Sequence, residues 1–435
     1  MVSTASSRPH LAFGGELVID RYSAIATPGA AATAMLLLAA TSIIAWAPPI
    51  ATLPPSVMSC LEKACPSQIA ACQADATCAA GIKCMLACPT GNSSACVDAC
   101  IKSNFDAVML TAGLCAQSSG CLSSSAAPAA VPTVTIAPGV EMPLAGLGTW
   151  QYNSSVAKAA VLSALKLGYT HIDTALGYDN QDGVGEAIAA SGVARDALFV
   201  TSKIPGGLAY HAAGGALTTA LDQLFPGDDG AYVDLMLVHF PASWDQKAAG
   251  KALRQDQWRA LEAFHKGGKA RAIGVSHYCK RHIDDILEVA TVTPAINQVQ
   301  FHVGMGAASP GGGANATDDR EYDGTVGVTY QSFSPLCGPC EGSDHMELIT
   351  GELVTKIGKA HGKSGAQVAL KWQVQQGIPV IPKSANPDHQ RENLDLFGWT
   401  LSDDEMRQLS AATKPQVAGD AGPGGLAVSG DCSVP

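Results

Sequence analysis

HIDTALGYDN, residues 171–180, begins as an apolar strand and closes on a short Gly-containing turn that sets Asp173 and Tyr178 five residues apart. Burying a carboxylate at the end of such a strand is costly unless a cation or hydrogen bonds compensate it. The compensating partner has to arrive from another strand. What lies beside this one therefore decides the fold.

Short apolar runs recur through the chain: LAGLGTW, THIDTA, LFVTSK, VDLMLVHF, ARAIGVSH, AINQVQF, VTYQSFSPL and PVIPKS. Amphipathic stretches such as VAKAAVLSALKLG and QWRALEAFHKGG separate most of them, each long enough to cross back over a sheet. Eight strands alternating with helices over about 280 residues predict an α/β chain built as a (β/α)8 TIM barrel. A doubly wound sheet is the competitor, but no G-x-G-x-x-G follows an early strand. Ahead of the first barrel strand, VTIAPGVEMPLAGLGTW reads as a hairpin turned at Pro138-Gly139.

In a barrel the C-terminal strand ends converge on one face, which here carries Asp173, Lys203 and His239, with Tyr178 just past the second strand. Lys203 is the cation that Asp173 needs. The pattern predicts that its ammonium draws down the proton affinity of Tyr178, making the phenol a general acid, while His239 orients the same substrate oxygen. Each residue alone has an ordinary structural explanation. Four at one end of consecutive strands point to a single site.

The 435 residues include 47% hydrophobic and 15% charged side chains, which is globular material with room for two or three domains. A net charge of −11 without any Lys/Arg cluster excludes nucleic acid as an expected partner. Ten of the 14 cysteines fall between Cys60 and Cys121. Their even number and the scarcity of aromatics predict a small, mainly helical, disulfide-rich domain over 58–122. The pairs Cys84/Cys88 and Cys96/Cys100 are spaced to share a helix face. Zinc is the rival reading, though the segment has no His; no metal is expected.

Before that domain, Ala30–Ala47 is an 18-residue apolar stretch inside a longer charge-free run. It predicts a targeting segment or membrane anchor over residues 1–55, with the anchor itself at about 30–47. Residues 123–132 read as a Ser/Ala/Pro linker, 133–414 as the barrel and 415–435 as a disordered tail. Between His302 and Val328 the expected crossover helix gives way to a Gly-rich run without apolar periodicity, predicting a loop and thin cover on that side. Cys337-Gly-Pro-Cys340 then places a dithiol motif just after strand seven, where it predicts a redox-sensitive loop or a plain tight turn.

GLGTW, HIDTALGYDN, TSK, DLMLVHFP, GVSHY, INQVQFH, SFSPL and IPKSANPDHQRENLDLF together resemble the aldo-keto reductase family, from about Val134 to Ser410. The resemblance implies reduction of a small-molecule carbonyl substrate with a nicotinamide cofactor. It assigns Tyr178 as the acid, Asp173 and Lys203 as its support, and His239 as the orienting residue. For the cofactor it implies Thr149, Ser276, His277, Gln298, Phe333, Ser334 and Leu336 around the nicotinamide and pyrophosphate. At the adenosine end it implies Lys383, Ser384, His389, Glu392 and Asn393. Trp150 and Phe240 would line the carbonyl pocket. His277 stands where the family usually has Asn, and His389 where Arg is common. Lys383 and Ser384 suit the 2′-phosphate of NADP, while His389 in place of a bidentate Arg leaves NAD open.

The Cys-rich run CLEKAC, CQADATCAAGIKCMLAC and CVDAC resembles the N-terminal domain of the violaxanthin de-epoxidase family over about residues 60–121. The lipocalin barrel of that family has no counterpart in this sequence, so de-epoxidation is not implied. The resemblance points to an organelle lumen, with plastid or thylakoid favoured and the secretory pathway or a membrane-anchored form as alternatives. The chain is expected to be a monomer. The alternative function is a non-catalytic binding or redox-adaptor protein that works through its Cys-rich domain.

Overall fold

The computed structural model describes residues 65–86, 131–305, 316–337 and 346–415, together with single positions at 103, 108, 111 and 115. The chain divides into two units, Met1–Ala126 and Ala127–Pro435. In the first, α1 (Pro66–Ala74) starts with Pro at its N-terminus and is followed by α2 (Ala76–Leu86). Disulfides join Cys65 to Cys115 and Cys72 to Cys78, and Cys84 is also disulfide-bonded. The described cysteines of this unit are thus cross-linked. Cys88, Cys96 and Cys100, the apolar stretch 30–47 and the tail from 416 lie outside the described residues. Among the described residues no helix is long and apolar enough to cross a membrane.

The second unit opens with the expected hairpin, β1 (Thr133–Ala137) against β2 (Val140–Pro143), turned at Gly139 with φ +73. Seven parallel strands follow in sequence order: β3 (Leu147–Gly148), β4 (His171–Asp173), β5 (Phe199–Ile204), β6 (Val233–Val238), β7 (Ala270–Ser276), β8 (Ile296–Gln300) and β9 (Thr329–Phe333). The predicted eighth strand is reduced to Val380, which bridges Ser332 on β9 and Ala145 before β3. Pro379 and Pro382 have no N–H to donate, which interrupts the ladder, although their carbonyls accept from Ser332 N at 2.9 Å and Gly148 N at 3.3 Å. Closure is kept by Val380 donating to Leu144 O and by Gly146 donating to Val380 O, both at 2.9 Å. A side chain at Gly148 would press within 2.8 Å of Ile381 O. Glycine there lets the two ends of the sheet meet.

Crossover helices α3 (Ser154–Lys166), α4 (Gln181–Ser191), α5 (Tyr210–Leu224), α6 (Lys251–Lys266) and α7 (Lys280–Leu287) cover the outside. They bury Val161, Ala164, Val184, Leu217, Trp258 and Ile283 against outward strand residues such as Ile172, Val200, Val238 and Ile273. The stretch predicted as a helix-free loop does contain a helix, α8 (Ala316–Thr325), which corrects that expectation. Its polarity hides it from a periodicity reading, because it is anchored by polar bonds: buried Asp323 accepts from Asn297 Nδ2 at 3.0 Å, and Tyr322 donates to Asp284. Further on, α9 (Glu347–Thr350), α10 (Glu352–His361), α11 (Gly365–Val374), α12 (Pro387–Leu394) and α13 (Asp403–Ser410) complete the unit. Inside the barrel, Phe199, Leu235, Leu237, Ala272 and Ile296 pack with Ile136, Val140 and Met142 of the hairpin. The hairpin plugs one end. The other end holds the polar side chains.

Candidate active site

Asp173 ends β4 and Lys203 lies near the end of β5, with side-chain exposures of 1% and 0%. The parallel register pairs Asp173 with Thr201, and Lys203 follows two residues later on the same face. Lys203 Nζ donates to Asp173 Oδ1 at 2.5 Å, to Thr174 O at 3.0 Å and to Tyr178 Oη at 3.3 Å. Its three hydrogens are thereby used. Burial would push the ammonium toward losing its proton, but the charge of Asp173, helped by Tyr178, outweighs it and holds Lys203 above its usual pKa. Asp173 Oδ2 accepts from Gln298 Nε2 at 2.8 Å. Its backbone oxygen accepts from Thr149 N at 3.1 Å and from Thr149 Oγ1 at 3.0 Å.

Tyr178 sits in a 3-10 turn at Leu176–Tyr178, partly buried, with Asp179 beyond it at φ +54. The prediction that Lys203 draws down its proton affinity holds for that one interaction and fails for the sum. Burial raises the phenol above its ordinary pKa, the Lys203 charge lowers it, and burial prevails. Tyr178 is therefore held protonated beside a charged Lys203, as a proton donor needs to be. His239 follows β6 with its ring edge-on to Tyr178 at 5.4 Å between centroids. Burial, then the charge of Lys203, then His277 push its pKa well below the usual range, so the imidazole is neutral at pH 7.

A continuous aromatic wall runs on from there. His239 stacks on Phe240 at 4.4 Å, Phe240 lies 4.3 Å from His277, and His277 lies 4.7 Å from Phe333. Trp244, which sequence reasoning missed, meets Phe240 edge-on at 5.1 Å and is 48% exposed. The backbone at this end is contorted. Among the described residues all six non-glycine positions with positive φ lie in loops after strand C-termini: Gln151, Asp179, Gln246, His277, Ser334 and Cys337. Such conformations cost about 1–3 kcal/mol each and concentrate where a ligand is handled.

The remaining predicted residues divide in two. Ser276 is buried, donating to Gln298 O at 2.7 Å, and His277 Nδ1 lies 3.0 Å from His239 O. Trp150, Phe333, Ser334 and Leu336 are partly buried at the rim. These stand with the Asp173 network. Lys383 Nζ instead donates to Gln151 Oε1 at 2.8 Å and lies 5.3 Å from the centre of the Tyr152 ring, with burial lowering its pKa. Ser384 precedes the Asn386 cap of α12; on that helix His389 and Glu392 are exposed and Asn393 is buried. Cys337 is buried and disulfide-bonded, as is Cys279, while Cys340 lies outside the described residues. The sequence reading also missed Gln331, whose Oε1 accepts from Gln298 Nε2 at 3.0 Å. Strand alternation could have found it, since Gln331 pairs with Gln298 in register.

A parallel barrel whose mouth joins a buried Asp–Lys pair to a phenol and a neutral imidazole, beside an aromatic wall, defines a proton-donating reductase site. The comparisons agree. Residues 144–310 and 339–414 match the model of the aldo/keto reductase family. The chain is 37% identical over 289 residues to glyoxal reductase of Bacillus subtilis (strain 168), spanning 66% of this chain and 95% of that protein. It is 36% identical over 288 residues to 2,5-diketo-D-gluconic acid reductase B of a Corynebacterium species, again 66% and 95%. A crystal structure of an aldo/keto reductase from Brucella melitensis superimposes with a TM-score of 0.56 at 34% identity, covering 64% of this chain and 98% of that one. The chain belongs to the aldo/keto reductase family and is an NAD(P)H-dependent oxidoreductase of carbonyl compounds.

Proposed function

We propose that the barrel reduces aldehydes or ketones with NADPH and that Tyr178 delivers the proton. The observation that carries this reading is the set of three bonds from Lys203, which tie the phenol to a buried carboxylate. The residues present fit a nicotinamide dinucleotide: Phe333 offers a flat apolar face at the rim, Ser276 and Gln298 offer amide-matching groups, and Lys383 and Ser384 offer a cation and a hydroxyl for a 2′-phosphate. When bound, the nicotinamide supplies hydride to the carbonyl carbon. Neutral His239 donates a hydrogen bond to the carbonyl oxygen and sets its angle. Tyr178 gives its proton to that oxygen as negative charge develops there, and Lys203 stabilises the resulting phenolate. The names of the glyoxal and diketogluconate reductases support small polar carbonyls as substrates, and the aromatic wall through Trp244 supports larger ones.

The N-terminal unit is read as a Cys-rich segment like that of violaxanthin de-epoxidases, following an export signal or anchor at about 30–47. An organelle lumen, plastid or thylakoid, is proposed as its location, and a monomer as its state.

Tyr178→Phe tests the chemistry. Turnover of 4-nitrobenzaldehyde with NADPH should fall by about 10²–10⁴-fold while NADPH binding is kept. With His239 titrating well below pH 6.5 and Tyr178 above its usual value, the parent rate should be flat between about pH 7 and 9. Parental turnover in Tyr178→Phe would remove Tyr178 from the reaction.

A further inference from the structure

The amide of Gln298 has two hydrogens, and both are spent inside the barrel, one on Asp173 Oδ2 at 2.8 Å and one on Gln331 Oε1 at 3.0 Å. This fixes its direction. Flipping the amide would set its oxygen against the Asp173 carboxylate, so the nitrogen must face inward and the oxygen is left as the acceptor for a further donor. Gln331 is fixed in turn: its oxygen must face Gln298, because a flip would oppose two NH₂ groups. That orientation leaves Gln331 Nε2 buried with no hydrogen-bond partner among the described residues. Burying a donor unpaired at the centre of a barrel is unfavourable, and an apolar side chain of equal size would avoid it. The oxygen that Gln331 presents to Gln298 accounts for its presence.

We infer that Gln331 is a positioning residue for the reaction: Asp173 decides which end of the Gln298 amide faces inward, and the second bond, to Gln331, holds the plane of that amide so that its oxygen stays aimed at the nicotinamide carboxamide. The line Gln331, Gln298, Asp173, Lys203, Tyr178 is continuous. Its inner end touches neither substrate nor cofactor. Gln298 Oε1 receives an amide N–H of the nicotinamide only while its NH₂ stays locked below, so losing the lock weakens cofactor binding and loosens Asp173 at once. The inference rests on the proposed role of Gln298 toward the nicotinamide.

The test uses the full chain with Gln331→Met, which keeps volume and removes the acceptor, Gln331→Glu, which restores an acceptor oxygen, and Gln298→Met. Dissociation constants for NADPH come from fluorescence titration and kcat from active-site-normalised turnover of 4-nitrobenzaldehyde. Gln331→Met is expected to weaken NADPH binding about tenfold and lower kcat about tenfold, with no fall in melting temperature. Gln331→Glu should recover NADPH affinity to within about threefold of the parent. In a Gln298→Met background, Gln331→Met should change neither value further. A merely structural residue would lower the melting temperature and the active fraction and leave NADPH affinity alone. Parental values in Gln331→Met, failure of Glu to restore affinity, or an undiminished effect in the Gln298→Met background would each overturn the inference. If Gln298→Met itself bound NADPH like the parent, the role given to Gln298 would fail as well, which separates the two failures.

Discussion

The barrel buries two carboxylates on strands two apart, and they are compensated in opposite ways. Asp234, at the start of β6 and 0% exposed, takes Arg195 at 2.8 Å on one oxygen and Arg271 at 2.9 Å on the other, with Val200 N at 2.9 Å. Arg271 also donates to Gly139 O in the hairpin that plugs this end. Asp173, at the end of β4, takes a single lysine and a glutamine amide at the open mouth. Guanidinium does not release its proton in a protein, so the Asp234 cluster has one charge state and acts as a clamp. Lys203 can shift its proton, and Tyr178 is within reach of it. The difference between a structural and a reactive buried ion pair lies here in the partner cation and in what else that cation touches.

Asp173→Asn should produce the largest effect on turnover. Without the Asp173 charge, nothing of equal size offsets the burial that weakens Lys203's hold on its proton, and Tyr178 loses the cation that stabilises its phenolate. We expect kcat to drop by about 10²–10⁴-fold in steady-state assays of NADPH consumption. Stability should change less, because a deprotonated Lys203 leaves no unpaired charge behind. Asp234→Asn should reverse the pattern, lowering unfolding free energy by about 3 kcal/mol in urea titrations while turnover per folded molecule stays within about twofold. Equal losses of turnover in the two variants would erase the distinction.

Most of the mouth was legible because its residues are punctuated by strand ends: HID, TSK and LVH each stop on the polar residue that enters the site. The regular alternation of strands and helices likewise gave the barrel. What escaped the sequence depends on summation or on polar anchoring. The net direction at Tyr178 is a contest between desolvation and one charge, and residue spacing cannot rank those. Helix α8 carries no apolar stripe, because Tyr322 and Asp323 hold it by hydrogen bonds. The eighth strand fails at Pro379 and Pro382, which the run PVIPKS displays openly, yet the apolar residues between them still read as a strand. Gln331 escapes the sequence because, among the described residues, its side-chain partner is another glutamine, remote in sequence and adjacent only through strand register.

His171 offers the finest test, because it lies at the foot of the same strand as Asp173 and feels both carboxylates. It is fully buried, its Nε2 is 3.1 Å from Thr201 Oγ1, and its ring meets Phe199 edge-on at 4.9 Å. Burial lowers its pKa to about 4, although Asp173 and Asp234 both pull upward. A group that binds protons less readily folded than unfolded adds stability that is complete above its unfolded pKa of about 6.5. That contribution shrinks as pH falls toward about 4, amounting to a loss of roughly 2 kcal/mol by pH 5. Urea unfolding of the parent and of His171→Gln at pH 7 and pH 5 should therefore show a shallower acid loss in the variant, whatever the offset between them at pH 7. His302, also buried and lowered to about 4, remains in both proteins and cancels from the difference. If the two lost stability in parallel, the carboxylates at the two ends would be compensating His171 more fully than burial opposes it, and the strand between them would be electrostatically better served than its dry surroundings suggest.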